Sequence, residues 1–160
     1  MAQTAAHLVD HVIPHVPVRQ WVLSLPIPLR LLLAAQPKLV TPVLQVVHRV
    51  ITRHLLGQAG LQPDEADSGA VTLIERFGSA ANLNIHLHCL VLDGVYRRSA
   101  EGAPEFVEVP APTDEALQSV LHKIITRTTQ AAHPSGGVGR GGGFNLKTAA
   151  TRARRAPEAG

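Results

Sequence analysis

The fold is decided by Asn82-Leu83-Asn84-Ile85-His86-Leu87-His88-Cys89-Leu90-Val91-Leu92-Asp93-Gly94, which carries two histidines one residue apart among strand-forming residues. Because successive side chains of a β-strand point to opposite faces, His86 and His88 share one face. The other face is apolar and comprises Leu83, Ile85, Leu87, Cys89 and Val91. Two neighbouring imidazoles on a rigid strand form half of a divalent-metal site. The alternative for an isolated pair is that both rings bond only to water or backbone.

The composition is that of one modest domain with a single core. The net charge of +3 suits a nucleic-acid partner. Cys89 is the only cysteine, which excludes an internal disulfide and a cysteine zinc site within these 160 residues and fits a reducing cytoplasm. The apolar run Leu29 to Ala35 is too short to cross a bilayer, and no signal peptide is visible at Met1. The sequence therefore predicts a cytoplasmic protein with no membrane partner.

Two segments have the apolar spacing of amphipathic helices. The first begins at Thr41-Pro42, with a hydroxyl cap and a proline in the first turn, and ends at Gly57 or Gly60. The second begins at Pro112-Thr113, with acidic residues in the favoured first turn. Several polar residues of the first helix fall largely off its apolar face, where a solvated surface is favoured over a DNA-contact stripe: His48, Arg49, Arg53 and His54.

Strand-forming runs separate and flank these helices: Val18 to Leu25, Val71 to Phe77, Leu83 to Tyr96, and Phe106 to Val109, which pairs back as a hairpin. The predicted fold class is α+β, an antiparallel sheet carrying His86 and His88 with helices packed on one face. Residues 1–17 form a helical lead-in and residues 18–130 the core. Residues 131–160 form a Gly/Arg-rich tail without regular structure, because such composition buries too little surface to offset ordering entropy. A basic tail that touches DNA is the rival interpretation.

Several segments in order carry a family resemblance. Gly69-Ala70-Val71-Thr72-Leu73-Ile74-Glu75-Arg76-Phe77-Gly78-Ser79-Ala80, followed by Asn82 to His88, resembles the core of the rolling-circle, two-tyrosine transposases of bacterial insertion sequences. These belong to the HUH (His-hydrophobe-His) endonuclease superfamily. Val18 to Pro26 and Asp93 to Tyr96 are similar to further pieces of that family, so that the resemblance covers roughly residues 1–127. An ordered set of motifs is much more specific than His-x-His alone.

The resemblance implies that His86 and His88 bind Mg²⁺ or Mn²⁺, which polarises the scissile phosphate of single-stranded DNA. For the third ligand, Glu75 on the neighbouring strand ranks first, and its alternative role is a solvent-facing carboxylate. Asp93 ranks below it because it has the opposite side-chain parity to His88. The basic residues expected to contact DNA are Arg76, Arg97 and Arg98.

In the family a tyrosine hydroxyl attacks the phosphate and forms a covalent intermediate. This chain contains one tyrosine, Tyr96, which would lie about 26 Å beyond His88 on an extended strand. Tyr96 is therefore predicted to be a packing residue, and no catalytic residue is assigned. The expected molecule is the truncated central portion of a transposase. The alternatives are an inactive remnant that at most binds single-stranded DNA and a small metal-dependent hydrolase.

Overall fold

The computed structural model describes residues 7, 11–77, 83–132 and 145–151. Its helices are α1 (Ile27–Ala35), α2 (Val40–Ala59), which follows a 3₁₀ turn at Pro37–Leu39, and α3 (Asp114–Ala132). Its strands are β1 (Val18–Ser24), β2 (Ala66–Asp67), β3 (Ala70–Phe77), β4 (Leu83–Leu92), β5 (Gly94–Arg97), β6 (Glu105–Glu108) and β7 (Asn145–Thr151).

The strands form two antiparallel sheets. The larger sheet has the order β3-β4-β1-β7 and the smaller has the order β2-β5-β6. In the larger sheet, β4 is a central strand that pairs with the whole length of β1. In this register Val18 lies opposite Leu92 and Ser24 lies opposite His86. The predicted α+β class is confirmed.

The core lies between α2, α3 and one face of the larger sheet. Leu87, Cys89 and Val91 of β4 are each exposed by no more than 2% and face this core. They pack with side chains from β1, α2 and α3, among which the largest are Trp21, Leu23, Ile51 and Ile124. Burying each such side chain contributes about 1.5–3 kcal/mol, which fixes the strand register because a one-residue slip would move this set into water. The predicted division of β4 into an apolar face and a histidine face is confirmed for residues 86–91.

Two predicted helix-end signals are confirmed, while the predicted cap at Thr41 is wrong. The helix α2 begins at Val40 with Leu39 at its N-cap and no side-chain cap hydrogen bond, so Thr41 already lies inside the helix. The helix α2 ends at Gly60, whose φ of 69° is a left-handed conformation that glycine adopts without strain. The helix α3 is capped by Thr113, whose side-chain oxygen accepts a hydrogen bond of 3.2 Å from the backbone N–H of Ala116. The signals at Gly60 and Thr113 therefore act as predicted.

The prediction of one strand from Leu83 to Tyr96 is wrong, because the chain changes sheets at Asp93. The Asp93 N–H donates to the Pro17 carbonyl at 2.7 Å, and its own carbonyl accepts from the Val109 N–H at 3.0 Å. The next residue, Gly94, lies so close to β6 that a Cβ atom there would be 2.2 Å from the Val107 carbonyl oxygen. Glycine is thus required where β5 begins.

The C-terminal region also differs from its prediction. The sequence favoured no regular structure for residues 131–160, yet α3 continues to Ala132 and Asn145–Thr151 forms β7, paired with β1 along its whole length. Backbone pairing to a sheet edge needs no large apolar side chain, so composition did not reveal it. The rest of that predicted tail, and most of the predicted lead-in 1–17, lie outside the described residues.

Among the described residues, no single helix is long and apolar enough to cross a membrane. The pair Ile27–Ala35 and Pro37–Ala59, bent by 113°, meets that criterion of length and composition only when taken together.

Candidate functional site

The two histidines of β4 lie side by side on the face of the larger sheet that is opposite to the core. His86 and His88 are both half-buried. Their ring centroids are 6.4 Å apart and the ring planes are inclined by 61°. The strand parity therefore does bring the two predicted ligands together.

Two polar side chains of β1 fix the orientation of these rings. The Ser24 hydroxyl lies 2.9 Å from Nδ1 of His86, which is its direct cross-strand partner. The Gln20 side-chain amide lies 3.0 Å from Nδ1 of His88. Metal-binding histidines commonly have one ring nitrogen held by such a partner while the other binds the ion. Neither residue was predicted from the sequence, because their position beside the histidines depends on the register between β1 and β4.

These contacts determine which nitrogen could bind a metal ion. If Nδ1 carries the proton, Nε2 is the ligating atom, and the partner of Nδ1 must accept a hydrogen bond. The Ser24 hydroxyl can accept this bond at His86. The Gln20 carboxamide can accept it at His88 through Oε1 once its amide is turned by 180°. The donor chemistry of the pair thus fits a divalent ion bound through two Nε2 atoms.

The distance between the two imidazole rings shows how far they must move to bind one metal ion together. With a metal–nitrogen distance of about 2.1 Å, two imidazoles on one ion have centroids roughly 5 Å apart. The observed 6.4 Å separation therefore requires a small rotation of His86 and His88 toward each other. Within the described part of the chain, no group of three His, Cys, Asp or Glu side chains is already clustered as a metal site. The arrangement is half of a site.

The two candidates for the third ligand have different positions. Glu75 on β3 is the register partner of His86, and directly paired residues of antiparallel strands share a face. Its side chain is outside the described set, so its role as a ligand stays a prediction. The carboxylate of Asp93 is buried and is held by Arg19 through hydrogen bonds from Nε and Nη2. Asp93 is therefore a structural partner of Arg19.

The three arginines predicted to contact DNA are not equivalent. Arg98 donates two hydrogen bonds of 2.8 Å to Asp67 and a third of 3.1 Å to the Asp64 carbonyl. The bond from Arg98 lowers the pKa of Asp67, which stays ionised, so a phosphate at Arg98 would compete with a carboxylate. Arg97 is exposed at the end of β5. Arg76 lies on β3, and its side chain is outside the described set. DNA contact by all three stays a prediction.

The core side of the larger sheet carries a polar chain that the sequence did not reveal. The Thr72 hydroxyl donates to Cys89 Sγ at 3.2 Å and lies 2.6 Å from Nε2 of His48 on α2. Burial raises the pKa of the Cys89 thiol and lowers the pKa of His48. A thiol kept protonated in this way is a poor nucleophile, so the chain links α2 to β3 and β4 and does not create a reactive cysteine.

Tyr96 belongs to the smaller sheet. Its ring packs on Phe106, its register partner on β6, with centroids 5.1 Å apart. The predicted packing role of Tyr96 agrees with this contact.

Comparison with known proteins bears on the function of this fold. A family model described as "Putative transposase" matches residues 69–152, which is more than half of the chain. The chain belongs to this transposase family. No curated protein and no solved structure matches it. The family segment begins beside β3 and extends through β7, so it contains both histidines of β4. The resemblance to transposases is confirmed, while the rolling-circle, two-tyrosine subtype stays a prediction.

Proposed function

We propose that this transposase-family chain binds single-stranded DNA and holds Mg²⁺ or Mn²⁺ at His86 and His88 for strand cleavage and transfer. The observation that carries the proposal is the pair of imidazoles on one sheet face, each with Nδ1 contacted by a polar side chain of β1. This arrangement sets the orientation of both rings before any ion binds. Orientation by outer contacts is a recurring property of functional metal sites.

Each residue has a distinct part in the proposed site. His86 and His88 supply nitrogen ligands, Ser24 and Gln20 position their rings, and Glu75 supplies an oxygen ligand from its register position on β3. A divalent ion bound there supplies Lewis-acid polarisation of a phosphodiester. Mn²⁺ accepts imidazole more readily than Mg²⁺, which prefers oxygen ligands and retains water. Mn²⁺ is accordingly the better probe.

The position of Tyr96 favours a second candidate function, in which this chain binds single-stranded DNA without cleaving it. Tyr96 is the one tyrosine among the 160 residues, and its ring packs on Phe106 in the smaller sheet. A nucleophile must reach the phosphate to within about 3–3.5 Å. Membership of a transposase family supports both of these functions over a small metal-dependent hydrolase.

Calorimetric titration with Mn²⁺ tests the metal site. One binding event is expected for the unsubstituted protein, with a loss of at least tenfold in affinity for His86→Ala and for His88→Ala. His122→Ala is the matched control, because it removes an exposed imidazole on α3 and leaves the sheet intact. Equal Mn²⁺ affinity in all four proteins would overturn the proposal.

A labelled oligonucleotide tests the chemistry. Cleavage of single-stranded DNA that depends on Mn²⁺ and disappears in His86→Ala would establish the first candidate function. Binding of the oligonucleotide without cleavage, in the presence of a filled Mn²⁺ site, would establish the second. Failure to bind single-stranded DNA under low-salt conditions, where phosphate contacts are strongest, would contradict both.

A further inference from the structure

Positive charge is concentrated on the two long helices. No aspartate or glutamate occurs in α2, and none occurs in α3 after Glu115. Four basic residues stand on these helices, namely Arg49, Arg53, Lys123 and Arg127. We call these four residues the basic helix face.

The four residues form two pairs with helical spacing. Arg49 and Arg53 are four residues apart on α2 and both are exposed. Lys123 and Arg127 are four residues apart on α3, so each pair lies along one side of its helix. Lys123 is also close enough to His54 of α2 to act on its charge. The two helices pack against each other through the core, so both pairs belong to the same helical layer.

The charge of the basic helix face is not neutralised within the part of the chain that the structure describes. The ion pairs found there join Arg19 to Asp93 and Arg98 to Asp67. Most of the described acidic residues lie around the smaller sheet or in the first turn of α3: Asp64, Glu65, Asp67, Glu101, Glu105, Glu108, Asp114 and Glu115. Beyond the first turn of α3, the charged residues of the two helices are thus all basic, which makes this surface complementary to a polyanion.

The residue types on the two helices indicate whether single-stranded or double-stranded DNA fits this surface. Neither α2 nor α3 contains a phenylalanine, tyrosine or tryptophan, so neither offers the large aromatic rings on which unpaired bases usually stack. Binding to single strands usually combines such stacking with electrostatic attraction. Two rigid helices with charges at fixed intervals instead match the regularly spaced phosphates of a duplex.

We propose that the basic helix face binds the phosphate backbone of double-stranded DNA. The helices cover the core side of the larger sheet, so this surface is on the opposite side from His86 and His88. Duplex DNA would be held there independently of the metal site. Duplex binding at the basic helix face does not require the proposed cleavage, because it depends on the charge of the two helices and on their lack of phenylalanine, tyrosine and tryptophan.

The test measures binding of a labelled duplex and a single strand of equal length over a series of salt concentrations. Arg49→Gln/Arg53→Gln and Lys123→Gln/Arg127→Gln each remove two charges and retain a good helix former. Each variant is expected to reduce the slope of log K against log salt for the duplex by about 2, or about 1 for each lost phosphate contact. Lys38→Glu changes the net charge by the same two units at an exposed position outside the two helices and should leave the slope unchanged.

Three results would overturn the proposal. The first is an equal change of slope in the helix variants and in the control. The second is a loss confined to the single strand, and the third is binding of anionic vesicles that depends on these four residues while duplex binding does not. Circular dichroism establishes that each variant is folded, and unchanged Mn²⁺ binding separates this surface from the histidine site. If neither the unsubstituted protein nor any variant binds Mn²⁺, the proposed metal site is wrong. The duplex measurements would still show whether the basic helix face binds DNA.

Discussion

Arg19 and Asp93, 74 residues apart in the sequence, form a bidentate ion pair at the point where the chain leaves the larger sheet for the smaller one. Both residues are at least nine-tenths buried. The guanidinium of Arg19 contacts both carboxylate oxygens, and the Asp93 backbone bonds to Pro17 and Val109 on either side. Asp93 thus connects β1, the end of β4 and the segment after β6 through its side-chain and backbone bonds.

The first prediction concerns the cost of breaking this pair. Replacing Asp93 by Asn leaves the Arg19 charge buried without its counterion, so we expect a loss of about 3–5 kcal/mol in the free energy of unfolding. Urea denaturation measures it. Asp67→Asn is the control, since it breaks a solvent-exposed ion pair with Arg98 and should cost much less. Similar losses in both variants would show that burial does not determine the strength of the Arg19 pair.

The second prediction concerns the close approach of β5 and β6. Gly94→Ala places a Cβ atom against backbone of β6 and should destabilise the protein by about 1–3 kcal/mol or more, because backbone atoms cannot move aside cheaply. Gly57→Ala is the matched substitution on α2, where the new Cβ meets nothing within 4 Å. That change should stabilise the helix by about 0.5–1 kcal/mol. Thermal unfolding of the two variants should therefore shift in opposite directions.

The third prediction concerns pH. Burial lowers the pKa of His48 and of His54 from 6.5, and Lys123 contributes further at His54. A lowered pKa means that the unfolded chain takes up protons first as the pH falls. The stability that these groups provide is therefore present above pH 6.5 and is lost as the pH falls through their folded-state pKa values.

The double substitution His48→Gln/His54→Gln should make the free energy of unfolding less dependent on pH below that value. Urea midpoints on both sides of the window measure the effect, and His122→Gln is the control for loss of an exposed histidine. An unchanged pH dependence in the double variant would show that other groups cause the acid response.

The sequence predicted the sheet carrying the histidines because the relevant signals were local. Alternation along β4, the cap at Thr113 and the glycine at Gly60 each act within a few residues. The sheet change at Asp93 was missed because it depends on Arg19, a partner distant in sequence. The strand β7 was missed because its pairing with β1 is a backbone interaction that composition does not record.

In the candidate site too, local features were predicted from the sequence and contacts between strands were not. His86 and His88 were found by their parity on one strand, whereas Ser24 and Gln20 required knowledge of the register between β1 and β4. Local periodicity identifies residues that share an element. Residues that meet across elements are identified only once the pairing of those elements is known.

The last prediction concerns the distance of Tyr96, the one tyrosine among the 160 residues, from the two histidines. The ring of Tyr96 packs on Phe106 in the smaller sheet, beyond the sheet change at Asp93, so its hydroxyl should not reach a phosphate bound at His86 and His88. Incubation of the protein with single-stranded DNA and Mn²⁺ should give no covalent protein–DNA band on a denaturing gel, and Tyr96→Phe should bind the oligonucleotide unchanged. His86→Ala serves as the control, because it should weaken Mn²⁺ binding where Tyr96→Phe does not. A covalent band that is present in the unsubstituted protein and absent in Tyr96→Phe would identify Tyr96 as the nucleophile, which would require β5 to leave its pairing with β6 during the reaction.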